Sequence, residues 1–435
     1  MTYKELNVNY EKPDVWRRSS KERIPKVGRP YLDYAKEILA FDKLKEEAKT
    51  EICGAINRAL DTATTKNELN MNLDGAMDFY SKAMIPTDDF EPEFLLKKTN
   101  QNTLAKKLQP WCKNLAYNIP EVIASKPFKK LEDKFKGIPA FVCLAGPSLK
   151  NNREKLIGLK GKAIIIAVDT SLRPLLDIGV VPDICVTHDA NPNGLKFFVS
   201  KEHEANKLDI NFNAMSDEQL AMVYAELKND TKRLEYKYDT VGLFVDYCHP
   251  LTLLAWNGLA KAFYAVLDPA LPVYDVMAGA TNYRIDGDKL AKEDKGRVVG
   301  GSSVGHVATY IAVQLGCKPI SFLGLDLSYP GGKTYVEGAS NQKDMRKQKL
   351  IEMEDLSGNK VPTNLSMLSY KMVFERSLPA ITINNKARFY NCTSDALGHP
   401  AGILEEGAFP RSLQSVIDEY CKETRNIDIL KVLNE

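Results

Sequence analysis

Long apolar runs are missing from this chain of 435 residues. Stretches such as Ala163 to Val168 are strand-sized, well short of the roughly 18 residues that a membrane-crossing helix needs, so no membrane span is predicted. The opening MTYKELNVNYEKPDVWRR lacks the apolar core of a secretory signal, which predicts a cytoplasmic protein. Excess charge of one sign is absent too: 59 Lys and Arg face 57 Asp and Glu, and a net +2 argues against a chain that coats nucleic acid. Eight cysteines lie far apart with no CxxC pair, and the five histidines form no HExxH. A zinc ribbon, a disulfide scaffold and a His-based metal centre are all disfavoured. There is no GxGxxG fingerprint and no solenoid repeat. The GlyGlyLysThr at 331–334 mimics the end of a Walker loop, but Leu327 stands where the leading glycine is required. Nothing calls for haem, flavin, NAD or zinc.

What is present divides the chain into three. Residues 1–135 read as a helical N-terminal region: a polar arm to about residue 30, then Ile38, Leu39, Leu44, Ala48, Ile52, Ile56 and Leu60 at helical spacing. At Gly137 the period changes. The apolar runs 139–145, 163–168 and 184–187, bounded by turn residues, suit parallel strands buried on both faces. Between the second and third, Ser171 can cap and Gly179 can stop a helix, giving a strand-helix-strand unit. A second unit spans Val298 to Leu325, so 136–345 is predicted to be a Rossmann-like α/β domain with a mostly parallel sheet. Residues 346–435 read as a mostly helical C-terminal region, with Ser412 capping a final amphipathic helix.

Chemistry is expected where strands end, because open parallel sheets bind ligands beyond their carboxyl ends. The turn Gly146, Pro147, Ser148 follows the first strand and is either a phosphate loop, using free N–H groups and the Ser148 hydroxyl, or a plain strand-to-helix turn. Asp169, followed by Thr170, and Asp189 leave the second and third strands and point to one crevice, where they suit a ribose hydroxyl or a divalent cation. For Asp169 the plainer role is a helix cap, Asp183 precedes its strand as a turn or surface residue, and His188 reads as a satisfied imidazole. Gly301, Ser302 and Ser303 feed a helix whose apolar face is Val304, Val307, Ala308, Ile311, Ala312 and Leu315, a second candidate anion site. Asp326 exits the strand that follows. Two glycine-containing loops and three strand-exit aspartates favour nucleotide or sugar-phosphate binding over a purely structural sheet.

The segments LAGPSLKNN, IIAVDTSLRPLLDIGVVPDICVTHDA, GGSSVGHVATYIAVQLGCKPISFLGLDLSYPGGKTYVEG and NCTSDALGHPAGI, in this order from Leu104 to Leu413, resemble the motility accessory factor (Maf-type) glycosyltransferases of flagellated bacteria. The core is similar to the 6-hydroxymethylpterin pyrophosphokinase (MptE-like) domain, and in pattern to sialyltransferases that use CMP-sialic acid. The resemblance implies a CMP-sugar donor. On that pattern Gly146, Pro147, Ser148, Asp169, Thr170, Gly301, Ser302 and Ser303 bind the nucleotide and Asp326 or Asp189 is the catalytic carboxylate. Two departures stand out: Ala145 replaces the Asn of the sialyltransferases, and Asn359 stands where they carry a catalytic His. The implied reaction moves a nonulosonic acid sugar from CMP to Ser or Thr of a protein such as flagellin. The alternatives are an ATP-dependent pyrophosphokinase with Mg²⁺ on Asp169 and Asp189, and an inactive nucleotide-binding scaffold.

Overall fold

The computed structural model describes residues 95–199, 238–267, 273–286, 289–300, 303–340, 343–346, 350–393 and 402–435, with isolated positions between 215 and 225. Of 95–109, 273 and 276 only the backbone is described. The helix expected between Tyr34 and Ala63 lies outside these residues, as do Gly301 and Ser302.

The sheet strands are β1 (Lys126–Pro127), β2 (Ala140–Cys143), β3 (Ile164–Val168), β4 (Ile184–Thr187), β5 (Tyr238–Val245) and β6 (Gly258–Leu267). After the small antiparallel pair β7 (Tyr283–Asp286) and β8 (Lys289–Lys292) come β9 (Arg297–Val299) and β10 (Ile320–Leu323). A second hairpin, β11 (Ile351–Glu354) and β12 (Lys360–Thr363), precedes β13 (Phe389–Asn391) and β14 (Phe409–Pro410). The order across the main sheet is β1, β6, β5, β4, β3, β2, β10, β13, β14, with β9 also beside β6. Every pairing in it is parallel among the described residues, as the apolar runs predicted. The flanking regions contribute edges as well as helices: β1 comes from before residue 135, and β13 and β14 from after 345.

Main-sheet strands of continuous apolar residues fit a sheet covered on both sides. Ala140, Val142, Ile164, Ile166 and Val168 face one layer, built from α1 (Leu95–Ala124), α5 (Val273–Thr281), α6 (Val304–Gln314) and α7 (Leu365–Asn385). Phe141, Cys143, Ile165 and Ala167 face the other, built from α2 (Leu149–Asn152), α3 (Asp169–Leu176) and α8 (Leu413–Tyr420). Two short helices complete the set, α4 (Pro250–Ala255) and α9 (Ile429–Asn434). Local signals behave unevenly. Ser412 caps α8 through the Ser415 N–H, and Gly179, at φ +80, sits in the turn that ends α3. Ser171 is not the cap of α3: the helix starts at Asp169, and the Ser171 hydroxyl bonds back to Val168 and to the Cys143 carbonyl, tying α3 to β2. Asp183 is buried rather than superficial, because its carboxylate accepts the Ile165 N–H from the neighbouring strand. No described helix is long and apolar enough to cross a membrane.

Candidate active site

The chain runs outward from β2 through β3, β4 and β5, then returns to β2's other side at β10, so the switch point lies between β2 and β10. There the loops after both strands press together. The Gly146 N–H donates to the Gly324 carbonyl at 3.0 Å, and a Cβ on Gly146 would stand 2.5 Å from that oxygen and 2.7 Å from Cγ of Asp326. Glycine is required here because two backbones touch. The Ser148 N–H donates to Oδ2 of Asp326 at 2.9 Å and the Ser148 hydroxyl donates to Oδ1. Asp326 is 2% exposed, and burial pushes its carboxyl up to about 6 against the pull of those two bonds. Leu327 beside it holds φ +53, an uncommon conformation for a branched residue.

These bonds bear on two sequence expectations. In the Gly146, Pro147, Ser148 turn, Gly146 and Ser148 have their donors engaged within the protein, and Pro147 has none. Asp326, expected as a catalytic carboxylate, is enclosed and bonded to that turn. Asn359 sits in the β11–β12 turn, bonded to Asp355.

The open chemistry lies one and two strands over. Asp169, the first residue of α3, accepts the Thr187 hydroxyl and the Thr170 N–H, each at 2.7 Å. It is 4% exposed, and burial, together with the negative charge of Asp189, raises its carboxyl to about 7 despite these bonds. Asp189, half-buried just past β4, accepts the Asn191 N–H at 2.9 Å. The two carboxylates therefore share one electrostatic environment, as expected, although Asp169 is no cap. Below them His188 is satisfied: Tyr264 donates to the Thr187 carbonyl, so its oxygen accepts from Nδ1, and Tyr247 meets Nε2, both at 3.3 Å. Burial holds this imidazole neutral, down to about 4.

Two tyrosines, Tyr335 and Tyr370, feel the charge of this pair, and sequence reasoning missed them because no strand or glycine pattern marks them. The segment after Tyr329 crosses the sheet's carboxyl end, where the Val336 N–H donates to the Ala145 carbonyl at 2.8 Å. That crossing brings Tyr335 near Asp169 and Asp189, whose charges add to burial in raising its phenol to about 12. Tyr370, on α7, feels Asp189 as well, and Tyr329 accepts a 2.7 Å bond from Asn364, the cap of α7. Ser303 begins α6, whose first turn abuts Leu144 at Gly305. One further strand-exit carboxylate was missed: Asp246, after β5, is 1% exposed, accepts from Thr281 at 3.2 Å, and leaves Oδ1 without a partner.

Asp246 also gives a pH test. Burial raises it to about 7, so between pH 4 and 7 the folded chain holds a proton that the unfolded chain has released, and its contribution to stability falls as pH rises through that window. Asp246→Asn removes this loss. Its stability relative to the native chain should improve by about 1 kcal/mol per pH unit between pH 5 and 7. Melting curves at pH 5, 6, 7 and 8 measure it; a difference that stays flat would show an Asp246 of ordinary acidity.

No group of three or more His, Cys, Asp or Glu able to hold a metal occurs among the described residues. Two carboxylates suffice for Mg²⁺ only when ligand phosphates supply further oxygens, a donor set that Asp169 and Asp189 fit.

Residues 113–233, which include α3, Asp169 and Asp189, match the family model described as 6-hydroxymethylpterin diphosphokinase MptE-like. The matched segment is thus similar to the MptE-like domain that the sequence motifs resemble. Among solved structures the chain is similar to a Maf glycosyltransferase from Magnetospirillum magneticum AMB-1, with 16% identity and a TM-score of 0.41. The match covers 81% of this chain and 48% of that one, so the chain spans about half its length. A likeness this distant says nothing of activity. No curated protein matches the chain.

Proposed function

We propose that the protein is a glycosyltransferase that takes a sugar from a nucleotide donor, CMP-linked nonulosonic acid being the first choice, and passes it to a hydroxyl acceptor such as Ser or Thr of flagellin. The observation that carries this reading is the carboxylate pair Asp169 and Asp189 at adjacent strand exits, whose charge reaches Tyr335 and, from Asp189, Tyr370. In the proposed mechanism Asp169, held by Thr187 and Thr170, orients a ribose hydroxyl. Asp189, the more accessible of the two, takes the acceptor's proton as its oxygen attacks the anomeric carbon. The bond to the CMP phosphate breaks on the opposite side, and the first turn of α6 faces the charge that develops there. The nearby Arg173 cannot clamp a triphosphate while its guanidinium holds the carbonyls of Lys196 and Val199 and the hydroxyl of Ser340.

The family description of residues 113–233 supports a second reading, diphosphate transfer from ATP to a hydroxymethylpterin, with Mg²⁺ on Asp169 and Asp189. Thermal melting separates the two. Under the first, CMP at a hundredfold excess over its Kd stabilises by about 2.7 kcal/mol without metal, and AMP does so less. Under the second, ATP with Mg²⁺ stabilises and CMP does not. A chain that is stabilised by a nucleotide but turns over neither donor is the inactive nucleotide-binding scaffold, and one that answers to neither nucleotide fails both readings.

A further inference from the structure

Helix caps in this fold accept backbone hydrogen bonds in the usual way, Asn364 from Met367 at 2.9 Å and Ser412 from Ser415 at 3.3 Å. Ser303 does not. Its side chain makes no cap bond to α6, and its Oγ lies instead 2.9 Å from Nδ1 of His306. The other ring nitrogen, Nε2, lies 3.1 Å from the backbone carbonyl of Tyr370. A carbonyl can only accept, so Nε2 carries the proton. The ring is buried at 1% exposure and stacked on Phe374 at 3.8 Å, an apolar enclosure that keeps it neutral. Nδ1 then has a lone pair and must accept, which commits the Ser303 proton to His306. Oγ retains only acceptor capacity, and this half-buried oxygen has no other partner among the described residues.

A hydroxyl in this state cannot donate to a phosphate oxygen, the role that its place at a helix N-terminus suggests. We propose that His306 fixes Ser303 as a hydrogen-bond acceptor, and that Ser303 takes a hydroxyl group of the bound ligand rather than its phosphate. The inference rests on the reading that the crevice binds a nucleotide sugar; the hydroxyl belongs either to the ribose or to the transferred sugar. His306 is a positioning residue in this scheme, acting through Ser303.

Two measurements test it. In protein labelled with nitrogen-15 histidine, the His306 ring should read as neutral with the proton on Nε2 between pH 5 and 8, and Ser303→Ala should shift Nδ1. A proton on Nδ1 would overturn the proposal without reference to any ligand. In calorimetry, Ser303→Ala should leave inorganic phosphate binding unchanged. It should erase a preference of about two- to tenfold, the worth of one hydrogen bond, either for CMP over 2′-deoxy-CMP or for CMP-N-acetylneuraminate over CMP. Loss in the first comparison assigns the ribose, and in the second the sugar. Equal weakening of every ligand, phosphate included, would make Ser303 a phosphate donor after all, and no change in any would leave it a structural residue; both results reject the proposal. If the native chain binds no cytidine nucleotide, the glycosyltransferase reading has failed separately, and the same comparison is made with ATP and 2′-deoxy-ATP.

Discussion

Asp189→Asn is expected to cut turnover of the CMP donor by about 10²- to 10⁴-fold, the usual contribution of a positioned general base, with nucleotide Kd nearly unchanged. The amide keeps the shape and an acceptor oxygen for the Asn191 N–H, so the loop after β4 should stay in place. It loses the capacity to take a proton, and with it the negative charge that Asp169 and Tyr335 feel. Asp169→Asn should behave differently. Asp169 already accepts from Thr187 and Thr170 and is almost fully enclosed, so its replacement should raise KM and disturb stability before it touches kcat. Single-turnover assays on both variants separate the roles. If Asp189→Asn retains native turnover, the transfer proceeds without a protein base on this residue, and the mechanism above fails at that step. If both variants lose Mg²⁺-dependent ATP binding together, the carboxylates serve as metal ligands and the diphosphate reading gains.

Much of the fold was legible because the strands are buried on both faces. Runs such as 163–168 leave no alternating pattern to confuse with a surface strand, and the glycines that bound them mark the turns. The edges were not legible: β13 and β14 are three and two residues long, too short for any periodicity, and β13 joins the sheet by pairing with distant β10 while β14 pairs with β13. At the site, Asp169 and Asp189 beside the ends of short apolar runs were found, whereas Asp246, at the exit of a strand whose run did not stand out, and residues that arrive from elsewhere were not. Asp169 and Asp189 follow from sequence position. Tyr335 and Tyr370 come from a crossing segment and from a helix that begins 175 or more positions after β4, and only tertiary packing brings them near. His306 was in plain view in the motif GGSSVGHV, but its meaning depends on a carbonyl 64 residues away.

The bonding of Asp326 to the Ser148 turn was hidden from the sequence for the same reason and leads to the second large effect. A carboxylate after a buried strand looks alike in sequence whether it faces a ligand or the protein's own loop, and here the loop reaches it first. Replacing Gly146 with Ala should destabilise by about 1–3 kcal/mol, because the new Cβ meets the Gly324 carbonyl, a backbone atom that cannot swing aside. Asp326→Asn should cost about 1.5–3 kcal/mol, since both bonds lose a charged acceptor: the amide oxygen can keep the Ser148 N–H, but the Ser148 hydroxyl must turn to accept from the new NH2. Ser148→Ala removes the hydroxyl but keeps the N–H, and so should cost less than Asp326→Asn. The decisive figure is the coupling. If Ser148 and Asp326 act as one clamp, the double variant should be less destabilised than the sum of the singles by about 0.5–3 kcal/mol in chemical denaturation. Additive losses would mean that the two residues act separately. Donor turnover in folded Asp326→Asn then decides the older expectation directly. A fall of 10²-fold or more with native stability would restore Asp326 as the base, whereas lowered stability with turnover that recovers at lower temperature fits a residue that shapes the crevice wall and never meets the substrate.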